Sequence, residues 1–207
     1  MSQSEIKGIY GQYEGAKLKH SRRTDKELWL ALVAIVVISL IYAFVVRWFR
    51  EIPAASGFFG HLIGVVGFLL MLATETLYSL RKRTMKAQWG PMAGWLQFHI
   101  FSGIVGPFMV VLHTSWKFNG IAGVTTLLTI IIVISGFIGR YIYTRIPRNL
   151  QGVEQLTSEG QAQSTALART RRLFATWHTI HIPIGMALFT AAFIHIGAAL
   201  YYATLLH

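Results

Sequence analysis

The chain has 207 residues, 54% of them hydrophobic and 13% charged, with no cysteine and a net charge of +11. With a mean hydropathy of +0.50 it is too apolar for an ordinary soluble domain and reads as an integral membrane protein. The absence of cysteine excludes disulfides, thiolate-held iron–sulfur clusters on this chain, and covalent haem attached through C-x-x-C-H. The basic residues sit in short clusters at the ends of apolar runs. That distribution orients a chain in a membrane rather than binding nucleic acid, so membrane lipid is the expected neighbour and no nucleic-acid partner is expected.

In chain order, residues 1–27 are polar and read as an N-terminal segment without a secretory signal peptide. About 20 apolar residues at 1.5 Å rise cross the hydrocarbon core. Five runs meet that length, at about 28–49, 57–80, 92–116, 121–143 and 174–205. Their backbones must satisfy themselves in lipid, so the expected fold is all-α. Residues 28–207 would form one bundle of five transmembrane helices, with a long connection at 147–173 that could include a short surface helix. Trp29, Trp48, Trp89, Trp116, Trp177, Tyr201 and Tyr202 lie near the ends of the runs, as interfacial anchors do.

Lysine and arginine set the direction. Lys7, Lys17, Lys19, Arg22, Arg23 and Lys26 precede the first run, and Arg81, Lys82, Arg83 and Lys86 follow the second. Arg140, Arg145, Arg148, Arg169, Arg171 and Arg172 gather around the connection after the fourth. The opposite side has Arg47, Arg50 and Lys117. The N-terminus is therefore expected in the cytoplasm and the C-terminus outside, which fits a multi-pass protein of a bacterial-type cytoplasmic (inner) membrane.

Six of the eight histidines lie in or near the runs: His61, His99, His113, His178, His181 and His195. Intramembrane histidine is costly and commonly functional. His99 and His113 are 14 residues apart on the third run, and His181 and His195 are 14 apart on the fifth. At about 100° per residue, that spacing returns each pair to within about 40° on one helix face, about 21 Å apart along the axis. Two odd-numbered spans run parallel. His99 is then level with His181, and His113 with His195. Imidazoles facing each other at one depth can ligate a haem iron from both sides, so two b-type haems are expected, one above the other. His178 competes with His181, but it is out of phase with His195 by about 100°.

Other residues support the same reading. Gly103 and Gly106 lie on the third run, and Gly106 is midway between its histidines. Either could give a flat cofactor or a neighbouring helix close approach. Gly60, Gly64 and Gly67 on the second run fit the same two uses. Pro107 and Pro183 would bend their helices locally. Arg140 and Arg47 could pair with haem propionates or anchor in headgroups. His61, Glu75 and His178 are the candidate proton-handling groups of a quinone site. Glu75 could instead reach toward water near Arg81 and Lys82.

The two H-x13-H spacings resemble the diheme membrane core of the ferric reductase and NADPH oxidase superfamily. They are also similar to the cytochrome b subunits that anchor respiratory complexes. The resemblance covers roughly residues 57–205, and it implies axial-ligand roles for His99, His113, His181 and His195. It departs from the reductases in having no G-x-G-x-x-G fingerprint and no flavin domain after the fifth run. Five spans in about 200 residues look more like the gamma-type cytochrome b of nitrate reductase, although a matching set of ligand spacings is not found. The resemblance implies a diheme cytochrome b subunit moving electrons between a quinone or quinol pool and a redox partner, either an iron–sulfur protein or a multihaem cytochrome. The alternatives are a stand-alone reductase or oxidase acting on oxygen, superoxide or ferric iron, and a membrane anchor whose haems are mainly structural.

Overall fold

Apolar runs flanked by polar residues fold locally into helices, because a helix satisfies every backbone group within one segment. In the computed structural model, residues 26–83, 91–145 and 158–205 are described, and they are all-α. The helices are α1 (Lys26–Phe49), α2 (Phe58–Arg83), α3 (Met92–His113), α4 (Gly120–Arg145) and α5 (Ser158–Leu205). By length and composition, all five are long and apolar enough to cross a membrane. Residues 1–25 of the N-terminal segment, the connection 84–90 with Lys86 and Trp89, residues 146–157 with Arg148, and residues 206–207 lie outside the described residues.

The helix ends depart from the expected ones by up to three residues, apart from the start of α5, and two of the differences have a clear local cause. The third run ends as a helix at His113, not at residue 116. Thr114–Trp116 form a turn in which Ser115 (φ 50°) and Trp116 (φ 63°) are left-handed. Thr114 stabilises that turn through its hydroxyl, which donates to Val111 O at 2.7 Å, and Ser115 Oγ donates to Pro53 O at 2.6 Å. The fifth helix begins at Ser158, 16 residues before the expected start, so part of the expected connection is helical and continuous with the span. Pro107 and Pro183 lie inside α3 and α5, and both helices continue through them.

Internal packing divides the chain into two units. The first comprises Met1–Ile52 with Leu69–Phe108, and the second Pro53–Phe68 with Met109–His207. Within the first, a polar clasp joins α2 to α3. Ser102, fully buried, meets Thr74 hydroxyl to hydroxyl at 2.5 Å, one donating to the other. Within the second, α4 packs along α5. Thr125, Thr126 and Thr129 of α4 are buried, and their hydroxyls return to carbonyls of their own helix at 2.8–2.9 Å. Hydroxyls satisfied in this way can be buried without a partner on the next helix.

Candidate functional site

Each histidine pair brackets a face of its helix that carries buried residues. Along α5, His181, Gly185, Leu188, Ala192 and His195 recur by alternating steps of four and three, and Gly185, Leu188 and Ala192 are buried. Along α3, His99, Ser102, Gly106, Met109 and His113 recur in the same way, with Ser102 and Gly106 buried. Alternating three- and four-residue steps keep side chains on one helical face. The 14-residue spacing is two such repeats.

His113 closes α3 and is held by the backbone of α2. Its Nδ1 lies 2.8 Å from Gly60 O. A carbonyl only accepts, so the ring donates from Nδ1–H and carries its lone pair on Nε2. Gly64, one turn further along α2, gives the ring its seat: a Cβ there would lie 2.7 Å from the imidazole. Gly60 is equally constrained, since a Cβ would collide with Ala54 O. These two glycines therefore admit an imidazole of the next helix and a turn backbone, which is the close-approach use of the two that the sequence suggested. Two further histidines approach. His61 is exposed, with its ring centroid 6.3 Å from that of His113 at an interplanar angle of 65°. His195 lies within electrostatic reach of His113.

His181 is held by Ser135 of α4 and by Trp177 on its own helix. Its Nδ1 is 3.0 Å from Ser135 Oγ, and its ring lies 4.7 Å from that of Trp177 at 31°. Trp177 Nε1–H donates to Ser135 O at 2.7 Å and also approaches Ser135 Oγ at 3.2 Å. Gly139 makes this possible, because a Cβ at that position would collide with the indole. Trp177, which the sequence suggested as an interfacial anchor, is half-buried in this cluster. His178 has ring contacts with Phe174 at 6.5 Å and Trp177 at 6.1 Å on its own helix.

His99 belongs to the first unit. Its Nδ1 faces Thr74 O at 3.4 Å, a long contact, and half-buried Glu75 is within electrostatic reach. Gly103 meets Thr74 Cγ2 at 3.9 Å, ordinary packing, and Gly106 is buried. Arg140 is half-buried and has partners, whereas Arg47 is exposed on α1. Sequence reasoning missed Ser135, Gly139 and the inward role of Trp177. The small-residue spacing Ser135, Gly136, Gly139 near the end of α4 was the available signal.

Among the described residues no three of His, Cys, Asp or Glu gather into a group that could hold a metal ion. The spacing argument calls for two imidazoles per iron. No protein-family model, no curated protein and no solved structure matches the chain.

Proposed function

We propose that this chain is a diheme b-type cytochrome spanning a bacterial-type cytoplasmic membrane five times, its N-terminus in the cytoplasm and its C-terminus outside. Support for the membrane comes from the surface of the helices. Trp29, Leu40, Phe44 and Trp48 of α1 are each at least 64% exposed, and such continuous apolar exposure suits lipid rather than water. The clustering of Lys and Arg supports the direction.

In this reading His99 with His181, and His113 with His195, each hold one haem b through Nε2. The bound haems supply one-electron chemistry at two depths. The observation that carries the reading is the tie from His113 Nδ1–H to Gly60 O at 2.8 Å. Haem- and metal-ligating histidines characteristically donate their other ring N–H to a carbonyl, carboxylate or water, which fixes the tautomer and aims the ligating nitrogen. His181 fits the same pattern through Ser135, which favours it over His178. Gly106, buried midway between His99 and His113 along α3, carries no side chain that would hinder a flat ring on that face. Arg140, half-buried on α4, is the candidate there for a propionate contact. Electrons pass between a quinone or quinol pool and an iron–sulfur or multihaem partner. His61 and Glu75, each close to one ligand, are the groups placed to take up or release quinone protons, and His178 is the third candidate.

The test is purification of the intact protein with its associated subunits, followed by haem extraction and low-temperature optical spectroscopy. Two low-spin, bis-histidine b haems per chain are expected. A preparation from a haem-replete membrane that holds no iron porphyrin removes the proposal.

A further inference from the structure

We infer that Ser135 and Trp177 set the electron affinity of the haem held by His181, and that they act on it with opposite signs. The inference rests on the diheme reading above and concerns how one of its ligands is tuned.

His181 Nδ1 and Ser135 Oγ lie 3.0 Å apart, and with a haem iron on Nε2 the ring would donate from Nδ1–H to that oxygen. The same oxygen is approached by Trp177 Nε1 at 3.2 Å. Indole N–H can only donate, so Ser135 Oγ accepts from that side whatever the direction of its own O–H. With iron on Nε2, the imidazole must also donate from Nδ1. A hydroxyl oxygen has two lone pairs, so both donors can be accommodated, but the second competes with the first for the same electron density. An acceptor at Nδ1–H makes the imidazole a more basic ligand, which favours the ferric state and lowers the reduction potential. Ser135 therefore pulls the potential down, and Trp177, by drawing on the same oxygen, partly releases that pull.

The cluster is built for this arrangement. Gly139 seats the indole where any Cβ would collide with it. The stronger bond from Trp177 Nε1–H, to Ser135 O at 2.7 Å, keeps the indole nitrogen beside the serine. The His113 corner supplies an internal control. Its acceptor is the backbone carbonyl of Gly60, which no side-chain substitution at Ser135 or Trp177 removes.

The experiment is optical potentiometry of the purified full chain, resolving the two haems, for the native protein and for Ser135→Ala, Ser135→Thr and Trp177→Phe. Ser135→Ala should raise the potential of one haem by about tenfold in its reduction equilibrium, about 59 mV for one electron. Ser135→Thr retains the hydroxyl and should restore the native value. Trp177→Phe keeps an aromatic ring against His181 but removes the competing donor, and should lower the potential of the same haem by a smaller amount. Loss of packing alone has no reason to produce opposite signs. Shifts in the same direction, shifts confined to the other haem, or no shift from either substitution would overturn the inference. If Ser135→Ala does not assemble with haem, the sign for Trp177→Phe decides: negative supports the inference, and zero or positive overturns it. A native preparation with no haem is a separate outcome, which strikes the diheme proposal itself.

Discussion

Two corners of the second unit hold a histidine by Nδ1, and they do so with different materials. At His113 the holding atoms are backbone: the Gly60 carbonyl, with Gly64 leaving room for the ring. At His181 they are side chains, Ser135 and Trp177, with Gly139 as the seat. A carbonyl cannot be deleted by mutation, so the first corner is altered mainly by adding atoms to its glycines. The second can be altered one hydrogen bond at a time. The difference also separates function from assembly, because the second corner can lose a donor or an acceptor while its helices remain packed.

On the diheme proposal, the largest effect expected is at the proposed ligands. His195→Ala should halve the haem content by removing the layer shared with His113, whereas His61→Ala should leave both haems and slow quinol-dependent reduction. Extracted haem per chain and stopped-flow reduction by a quinol analogue measure the two. The reverse result, with His61→Ala losing a haem and His195→Ala retaining both, would make His61 the partner of His113. The 6.3 Å separation of those rings makes this contrast a sharp one. Next is Gly64→Ala. The new methyl would stand 2.7 Å from a rigid ring, so His113 must leave Gly60 O or α2 must shift. Retention of one haem should fall by about 10–100-fold, the usual cost of losing the group that orients a ligating histidine. Titration of the apoprotein with haemin reads that loss. Unchanged affinity would show that the glycine cradle does not orient the ligand.

Much of the helical fold was legible in the sequence, and the reason lies in the range of the physics. The helices follow from apolar runs long enough to cross about 30 Å of hydrocarbon, and the shared face of each histidine pair follows from helical phase alone. Both are local properties. The groups that hold the rings are not local. Gly60 is 53 residues from His113, Ser135 is 46 from His181, and Trp177 is 42 from Ser135. No periodicity encodes such pairings. The end of α3 was missed for a related reason. Left-handed backbone at Ser115 and Trp116 carries no glycine to announce it, and the Thr114 and Ser115 hydroxyls that stabilise the turn reach Val111 and Pro53. The early start of α5 was hidden by polar residues, whose helicity comes from continuing an established helix rather than from an apolar face of their own.

In the first unit the same contrast between added and deleted atoms can be tested where the effects are small. Thr74→Val removes the hydroxyl that meets Ser102, but Ser102 Oγ still donates to Phe98 O at 2.6 Å. The loss should therefore be about 0.6 kcal/mol, the average for an interhelical hydrogen bond in a membrane, measured by unfolding in mixed micelles with both haems retained. A much larger loss would mean that the clasp also fixes His99, whose Nδ1 faces the carbonyl of the same threonine. Gly103→Ala should do less still. Its new Cβ would meet Thr74 Cγ2 at 3.9 Å, which is ordinary contact, and replacing glycine by alanine within a helix recovers about 0.5–1 kcal/mol of backbone entropy. Stability should be unchanged or slightly raised, and haem content native. Loss of a haem from Gly103→Ala would instead show that this face of α3 lies against the cofactor, and the role of Gly103 would move from helix packing to the haem plane. Gly64 and Gly103 thus make a matched pair: one glycine that a methyl should disable, and one that a methyl should leave working.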